Sequence, residues 1–534
     1  MSHRVNTFTI LSYPARVIAV PAAALLGCAL AASPAAAQTN PAGTTLTTGI
    51  SGGASVINNG TIAIPTSNSY AVSDSTAGAV ITNNGVMSST LHDTRLINAS
   101  GGGEIVTNTG TMTTAASYAD AILINAQAAT GTASTITVNN SGTITTATSA
   151  DMLLGNSGVG GSTFNVTNSG TMTSTGYANI VQQIPSGRTN NSLNVTNTAT
   201  GVMTSHDGII ATTSVTLTNA GTITATGLNT SAVGTYIGGT NITNTGVITG
   251  DFAIAPAGNA GGFNSAVVNS GTIASNVAGG SGIAIDYNPV TTSTIVNSGT
   301  LTGDVMLGTG NSLTVTGASA KISGNVLANG SGSSVTIGTA GSPASFTGTG
   351  QFGAAAGSQV HEGVTYSVAP LGTFTIATGS SFSTAAGFAL NAASVSEAGT
   401  FNTWTAVSAT ASSGWDQVGA LDFGVSGGTA GQLSLSGAMI FEAGSSLGIA
   451  SGSSLTPGVY TAVLSTSGTT GAPTGTSGTF GNASYSFTQE AGNSNVWDLT
   501  VTAGTQTADV PEPASAALLL AGLAGIGGLR RRRA

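Results

Sequence analysis

The chain has 534 residues, of which only 5% are charged and 5% aromatic, while 78 are glycine. Between residues 38 and 509 three basic residues, Arg95, Arg188 and Lys321, stand against 17 acidic ones, a net charge of −14; this excludes nucleic acid and anionic lipid as partners of the body, because both require clustered Lys or Arg. The only cysteine, Cys28, excludes an intrachain disulfide.

Residues 1–37 read as an export signal. Arg4 and Arg16 lie near the start, an apolar run covers 17–32, and the small residues Ala35 and Ala37 offer a cleavage site before Gln38. Cys28 then belongs to the apolar part of the signal.

From 38 to about 345 the same wording returns. Asn58-Asn59-Gly60-Thr61-Ile62 is followed by Asn83-Asn84-Gly85-Val86-Met87, Asn108-Thr109-Gly110-Thr111-Met112, Asn140-Ser141-Gly142-Thr143-Ile144 and further copies to Asn297-Ser298-Gly299-Thr300-Leu301, most often 25 residues apart. Each copy has an alternating apolar/polar run before it and a second short apolar run after it, such as Ala121-Ile122-Leu123-Ile124. Alternation with this spacing describes short strands that cannot bury a face alone. Stacked as the coils of a parallel β-solenoid they can. The fold class expected is therefore all-β: a β-helix of about ten or more coils over 38–345. In that arrangement the repeated asparagine stacks on its neighbours and bonds up and down the column, and the glycine is expected to supply a left-handed corner. The repeats resemble those of autotransporter passengers and other β-helical adhesin-type surface proteins, a likeness that implies architecture and no binding site.

Over 346–506 the wording is lost, and Trp404, Trp415 and Trp497 appear with stronger hydrophobic runs such as Met439-Ile440-Phe441. A smaller β-rich domain that caps the open end of the solenoid is expected here, since an uncapped coil exposes an unpaired edge.

Residues 507–534 form a tripartite tail: Val510-Pro511-Glu512-Pro513, an uncharged run over 514–529, and Arg530, Arg531, Arg532 and Arg533. The run suits a short C-terminal membrane helix that arginine side chains extend by snorkelling, and the positive-inside rule keeps the arginines cytoplasmic. The tail closely resembles the PEP-CTERM sorting signal of Gram-negative bacteria. That resemblance implies processing by an exosortase near Pro511-Glu512-Pro513, transient anchoring in the inner membrane, and delivery to the envelope surface or an exopolysaccharide or biofilm matrix.

The body offers little for catalysis. Gly424-Val425-Ser426-Gly427-Gly428 and Gly444-Ser445-Ser446-Leu447-Gly448 fit the nucleophile-elbow spelling, but neither lies between an apolar strand and a helix. His92, His206 and His361 form no metal-ligand spacing. No catalytic, cofactor-binding or metal-binding residue is expected. One column invites a hypothesis: Asp93, Asp120, Asp151, Asn179, Asp207 and Asp251 each precede the second apolar run of a coil, with His92, Tyr118, Tyr177 and His206 just before. In register they would make a line of carboxylates edged by flat rings, able to stack on sugars or hold Ca²⁺; Asp and Asn also start turns well, which explains them without any ligand. The expectation is a non-enzymatic structural or adhesin-like surface protein, with a polysaccharide-active β-helix hydrolase or a plain membrane-anchored protein as alternatives.

Overall fold

A computed structural model describes residues 37–504, apart from 127–132, 157–160, 185–190, 257–263, 279–281, 331 and 362–363. Strands are the regular structure throughout, and no α-helix occurs among the described residues. The chain winds as a parallel β-solenoid with three strands per coil. The first face holds the strands that end in the repeated asparagine, such as Ser55–Asn58, Val80–Asn83 and Ile105–Asn108, paired in parallel from coil to coil. The second face follows the N-x-G corner, as in Thr61–Ile64, Val86–Ser89 and Thr111–Thr114. The third holds Tyr70–Asp74, Arg95–Ala99 and Ile122–Ala126.

The alternating pattern decides which side chains enter the coil. On the first face Val56, Ile81, Val106 and Val138 form one inward column, and on the second Ile62, Met87, Met112 and Ile144 form another, all fully buried or nearly so. Val72, Ile97, Ile122 and Met152 complete the core from the third face.

The asparagines make the expected ladder. Asn40, Asn58, Asn83, Asn108, Asn140 and Asn168 donate from Nδ2 to the Oδ1 of the next coil at 2.7–2.9 Å, and the line continues through Asn197, Asn219, Asn244 and Asn269 to Asn297 at 2.8 Å. The lower edge is closed by Thr44, whose hydroxyl donates to Asn40 Oδ1. Seven of the asparagine carbonyls also receive two amides of the following corner: Asn84 N and Gly85 N, for example, reach Asn58 O at 2.7 and 3.0 Å, whereas Asn40, Asn168, Asn197 and Asn297 receive one.

The glycines serve a different purpose from the one expected. Gly60, Gly85, Gly110 and Gly142 have no positive φ, so a left-handed corner is not what they supply. A Cβ on Gly85 would run into the carbonyl oxygen of Gly60, and one on Gly142 into that of Gly110. Coils one strand spacing apart leave no room for a side chain at this corner, which is why glycine is required.

The expected boundary at 345/346 is also corrected, because the parallel ladder runs through it. Ser334–Ile337 pairs with Leu371–Ile376, which pairs with the C-terminal part of Ala389–Glu397, which pairs with that of Ala406–Gln417. A second-face stack, Ser345–Gly348, Ser381–Thr384, Thr400–Thr403, Ala420–Phe423 and Ser446–Ile449, runs beside it. The filling is what changes. The asparagine column passes to Val315, Ile337 and Ile376, and Phe352, Phe374, Phe382, Phe388 and Phe401 pack with ring centroids 5.1–6.2 Å apart. Apart from two short hairpins, antiparallel pairing takes over only at the end, where Gly458–Ser465, Ser477–Phe480, Ala483–Glu490 and Asn493–Ala503 form an antiparallel sheet. It lays Phe487 and Trp497 against Phe423 and Phe441 of the coils beneath. The last rung is thus covered by a cap much smaller than 346–506.

Candidate functional site

The acidic positions singled out in the sequence do not form one row. Arg95 pairs in register with Tyr70, and Ile97 with Ile122, which places Asp93 beside Tyr118 and two residues away from the level of Asp120. The reason is the corner between the second and third faces. It spans 115–121 in one coil and 147–151 in the next, and vanishes where Thr171–Gln183 and Val202–Ala211 run through as single strands. The changes of length move Asp93, Asp120 and Asp151 relative to one another, whereas Asp151 and Asn179 stay level.

At the N-terminal end of this corner Asn68, Asp93 and Tyr118 form a short column of left-handed residues with φ near 56°. His92 Nδ1 lies 3.0 Å from Asp93 Oδ2, and its ring meets the Tyr118 ring edge-on at 5.2 Å. This exposed cluster is all that remains of the ring-edged line.

The next acids turn inward. Asp120 takes the Ser149 hydroxyl, the Ala150 amide at 3.2 Å and Arg95 Nε at 3.5 Å. Asp151 is fully buried; it accepts from Thr146 Oγ1 at 2.8 Å and from Asn179 Nδ2 at 2.7 Å. Asn179 in turn accepts from Ser205 Oγ at 2.7 Å. Burial pushes the Asp151 carboxyl up to about 8 and raises Asp120 as well, against the pull of their hydrogen bonds and, for Asp120, of Arg95. Asp207 lies opposite Ala178, 3.0 Å from His206 Nδ1, and burial raises it too. Asp251 receives the Asn229 amide at 2.6 Å. Tyr177 packs with Ala150, Ala178 and Val181 on the outside of the coil. The contacts of Asp120, Asp151, Asn179 and Asp251 tie one coil to the next or close a turn, and the residues share no open face. No group of three metal-ligating side chains occurs among the described residues.

The structure assembles another polar cluster that the sequence did not announce. A hairpin, Gly357–His361 with Val364–Val368, leaves the solenoid and folds over the outside of the third face. Tyr366 and Val368 pack there on Phe252, Ile283, Met306 and Leu327. The Tyr366 hydroxyl donates to Asp286 Oδ2 at 3.1 Å, and His361 Nδ1 lies 3.1 Å from Asp304 Oδ2. Asp286 also takes the Asn288 amide at 3.0 Å, and Asp304 the Asn325 amide at 2.7 Å. Burial pushes Asp286 up to about 6 and raises Asp304. Residues so far apart in sequence carry no local motif; the one available signal was an alternating run, Val364-Thr365-Tyr366-Ser367-Val368, with no N-x-G corner beside it.

The elbow spellings are placed as expected. Ser426 lies in a two-stranded hairpin and Ser446 starts a solenoid strand, and neither leads into a helix. Of the signal-cleavage residues, Ala35 lies outside the described residues, while Gln38 opens the first rung, Gln38–Asn40. Val510, Pro511, Glu512, Pro513 and Arg530, Arg531, Arg532 and Arg533 lie outside them too, so the tail is assigned by its sequence.

The fold defines a parallel β-solenoid whose polar residues hold it together. Residues 509–533 match the PEP-CTERM protein-sorting motif. The chain thus carries a PEP-CTERM sorting motif, which implies export, processing by an exosortase and sorting to the cell-envelope surface. No curated protein and no solved structure matches the chain.

Proposed function

We propose that this is a non-enzymatic structural or adhesin-like component of the surface or exopolysaccharide matrix of a Gram-negative cell. The signal at 1–37 directs export, the 514–529 segment holds the chain briefly in the inner membrane, and an exosortase then acts near Pro511-Glu512-Pro513. One observation carries the reading: Asp120, Asp151, Asp286 and Asp304 are each engaged in contacts that hold coils, turns or the hairpin in place. A glycoside hydrolase would instead need two carboxyl groups free to face substrate in a cleft.

Fractionation of cells making the full chain or one lacking 509–534, with mass spectrometry of the mature C terminus, tests this. The expected result is surface or matrix protein ending near residue 511 for the full chain, and loss of surface retention without the tail. An intact C terminus that stays in the inner membrane would favour the plain anchored protein.

The hydrolase reading keeps one specific support, the convergence of Asp286, Asp304, His361 and Tyr366. Release of reducing ends from the host's exopolysaccharide, abolished by Asp286→Asn and Asp304→Asn in folded protein, would establish it in place of the first.

A further inference from the structure

The outer surface of the second face is uniform in composition. Between Thr61 and Thr302 ten successive rungs each present two side chains outward, one on either side of the buried Ile, Leu or Met. Of these 20 positions 14 are threonine, and the others are valine, alanine or serine. The central rungs read Thr143/Thr145, Thr171/Thr173, Val202/Thr204 and Thr222/Thr224. No charged or aromatic residue and no residue larger than valine stands in either column. Register is one-to-one from rung to rung; the bulge in this region falls after Ser174, past the columns.

Such a face is a lattice. Rungs repeat at about 4.8 Å, and the two threonines of a rung lie about 6.6 Å apart. β-Branched side chains on a strand are stiff about χ1, so methyl and hydroxyl keep the same orientation from rung to rung. Among the described residues a single hydroxyl of the two columns bonds to another of them, Thr249 Oγ1 to Thr224 Oγ1 at 3.1 Å, which leaves the rest to the solvent. Oxygen atoms on a prism plane of ice repeat at nearly these two distances. Water over the face can therefore bond to the hydroxyls and bridge across the methyls in an ice-like layer, with no ammonium or carboxylate to impose a different order.

We propose that this face, from Thr61 to Thr302, binds ice. A sugar polymer is the less suited occupant: carbohydrate recognition leans on flat rings that stack on pyranose faces, and these columns have none. The first face is unsuited to ice, because Asn139, Asn165 and Asn194 interrupt its outward threonines, and Asn194 bonds to Asn165 at 2.9 Å.

The test is ice-affinity partition, with thermal hysteresis and crystal shape, of the mature exported protein. Three variants accompany it: Thr145→Lys and Thr173→Lys on the proposed face, and Thr167→Lys at an outward position of the first. The expected result is wild-type enrichment in the ice fraction with faceted crystals, loss to the level of buffer in the first two variants, and retention in the third, all with unchanged circular dichroism. Round crystals and exclusion of the wild type from ice would overturn the proposal, and that measurement stands even if a variant misfolds. Equal losses in all three variants, or binding to crystalline cellulose without binding to ice, would overturn it as well. Neither outcome bears on sorting or surface location.

Discussion

The coils from Asn40 to Asn297 and those at Glu397 and Gln417 share a corner but not a filling. At the N-x-G corner of the first group, two amides converge on the carbonyl of Asn58 and a glycine rides over the glycine below. At Glu397-Ala398-Gly399 and Gln417-Val418-Gly419 the same contacts recur: Val418 N and Gly419 N reach Glu397 O at 2.8 and 2.9 Å, and a Cβ on Gly419 would strike the Gly399 carbonyl. The aromatic and polar side chains inside differ. An amide ladder beside Val, Ile and Met gives way to a stack of phenylalanines. The comparison separates a corner that both regions use, with glycine and a free carbonyl, from the side chains that fill the coil.

The largest effect should come from the shared requirement. Gly142→Val and Gly419→Val each place a side chain where a backbone carbonyl stands, and a rigid ladder cannot move aside at one rung. Each is expected to cost more than about 4 kcal/mol, visible as loss of the cooperative denaturant transition or of protease-resistant protein. If one region tolerated the change and the other did not, the corner would not be common to both.

Next come the fillings. Phe382→Ala removes a ring that touches five other rings and should cost about 3–5 kcal/mol. Asn168→Ala strands the Asn140 amide and the Asn197 carbonyl oxygen, each at about 1–3 kcal/mol. Equilibrium unfolding in urea ranks them, and an Asn168 effect below that of an exposed threonine would reduce the ladder to ornament.

Each region also holds a buried acid, and the two should make the solenoid more stable as the medium becomes more acidic. Asp151 is pushed from 3.8 up to about 8, and Glu397, hydrogen-bonded to Gln417 in the interior, is raised well above its ordinary 4.5, in both cases mainly by burial. A carboxyl whose pKa is higher in the folded state binds more protons there. Its stabilisation is complete below the unfolded value and is lost as pH rises towards the folded one, at up to about 1.4 kcal/mol per pH unit for one group. The midpoint of urea unfolding should therefore fall between pH 5 and pH 8. Asp151→Asn and Glu397→Gln should each flatten that slope, because an amide needs no proton to stay buried. A midpoint that rises over this range would contradict both assignments.

The solenoid and its ladder were legible because a parallel stack repeats one environment, and the same environment selects the same residues: asparagine at 58, 83 and 108, glycine two places on. The continuation past 345 was hidden because the selection changed while the backbone did not. Glu397 and Gln417 stand where asparagine stood, each two residues before a glycine, and the corner would have been found by allowing any side chain before x-G. The proposed carboxylate line failed for the opposite reason. Asp93, Asp120 and Asp151 look equivalent by their order in each repeat, but corners of unequal length put them at different levels. Constant spacing is legible in a sequence; variable corners need coordinates.

The smallest expected effect concerns the hairpin, which interrupts the second group of coils without taking part in their ladder. Tyr366→Phe keeps the ring on Phe252, Ile283 and Met306 and removes only the hydroxyl that donates to Asp286. A hydrogen bond to a charged or proton-sharing carboxyl is worth about 1–3 kcal/mol locally, yet the solenoid beneath makes its own contacts and should keep its unfolding midpoint. The change is expected as faster amide exchange over 357–368 and earlier proteolytic cleavage there, with exchange in Ser334–Ile337 and Leu371–Ile376 unaltered. If exchange rose in those strands as well, the hairpin would be a support of the solenoid itself, and the two groups of coils would differ in what holds them up as well as in what fills them.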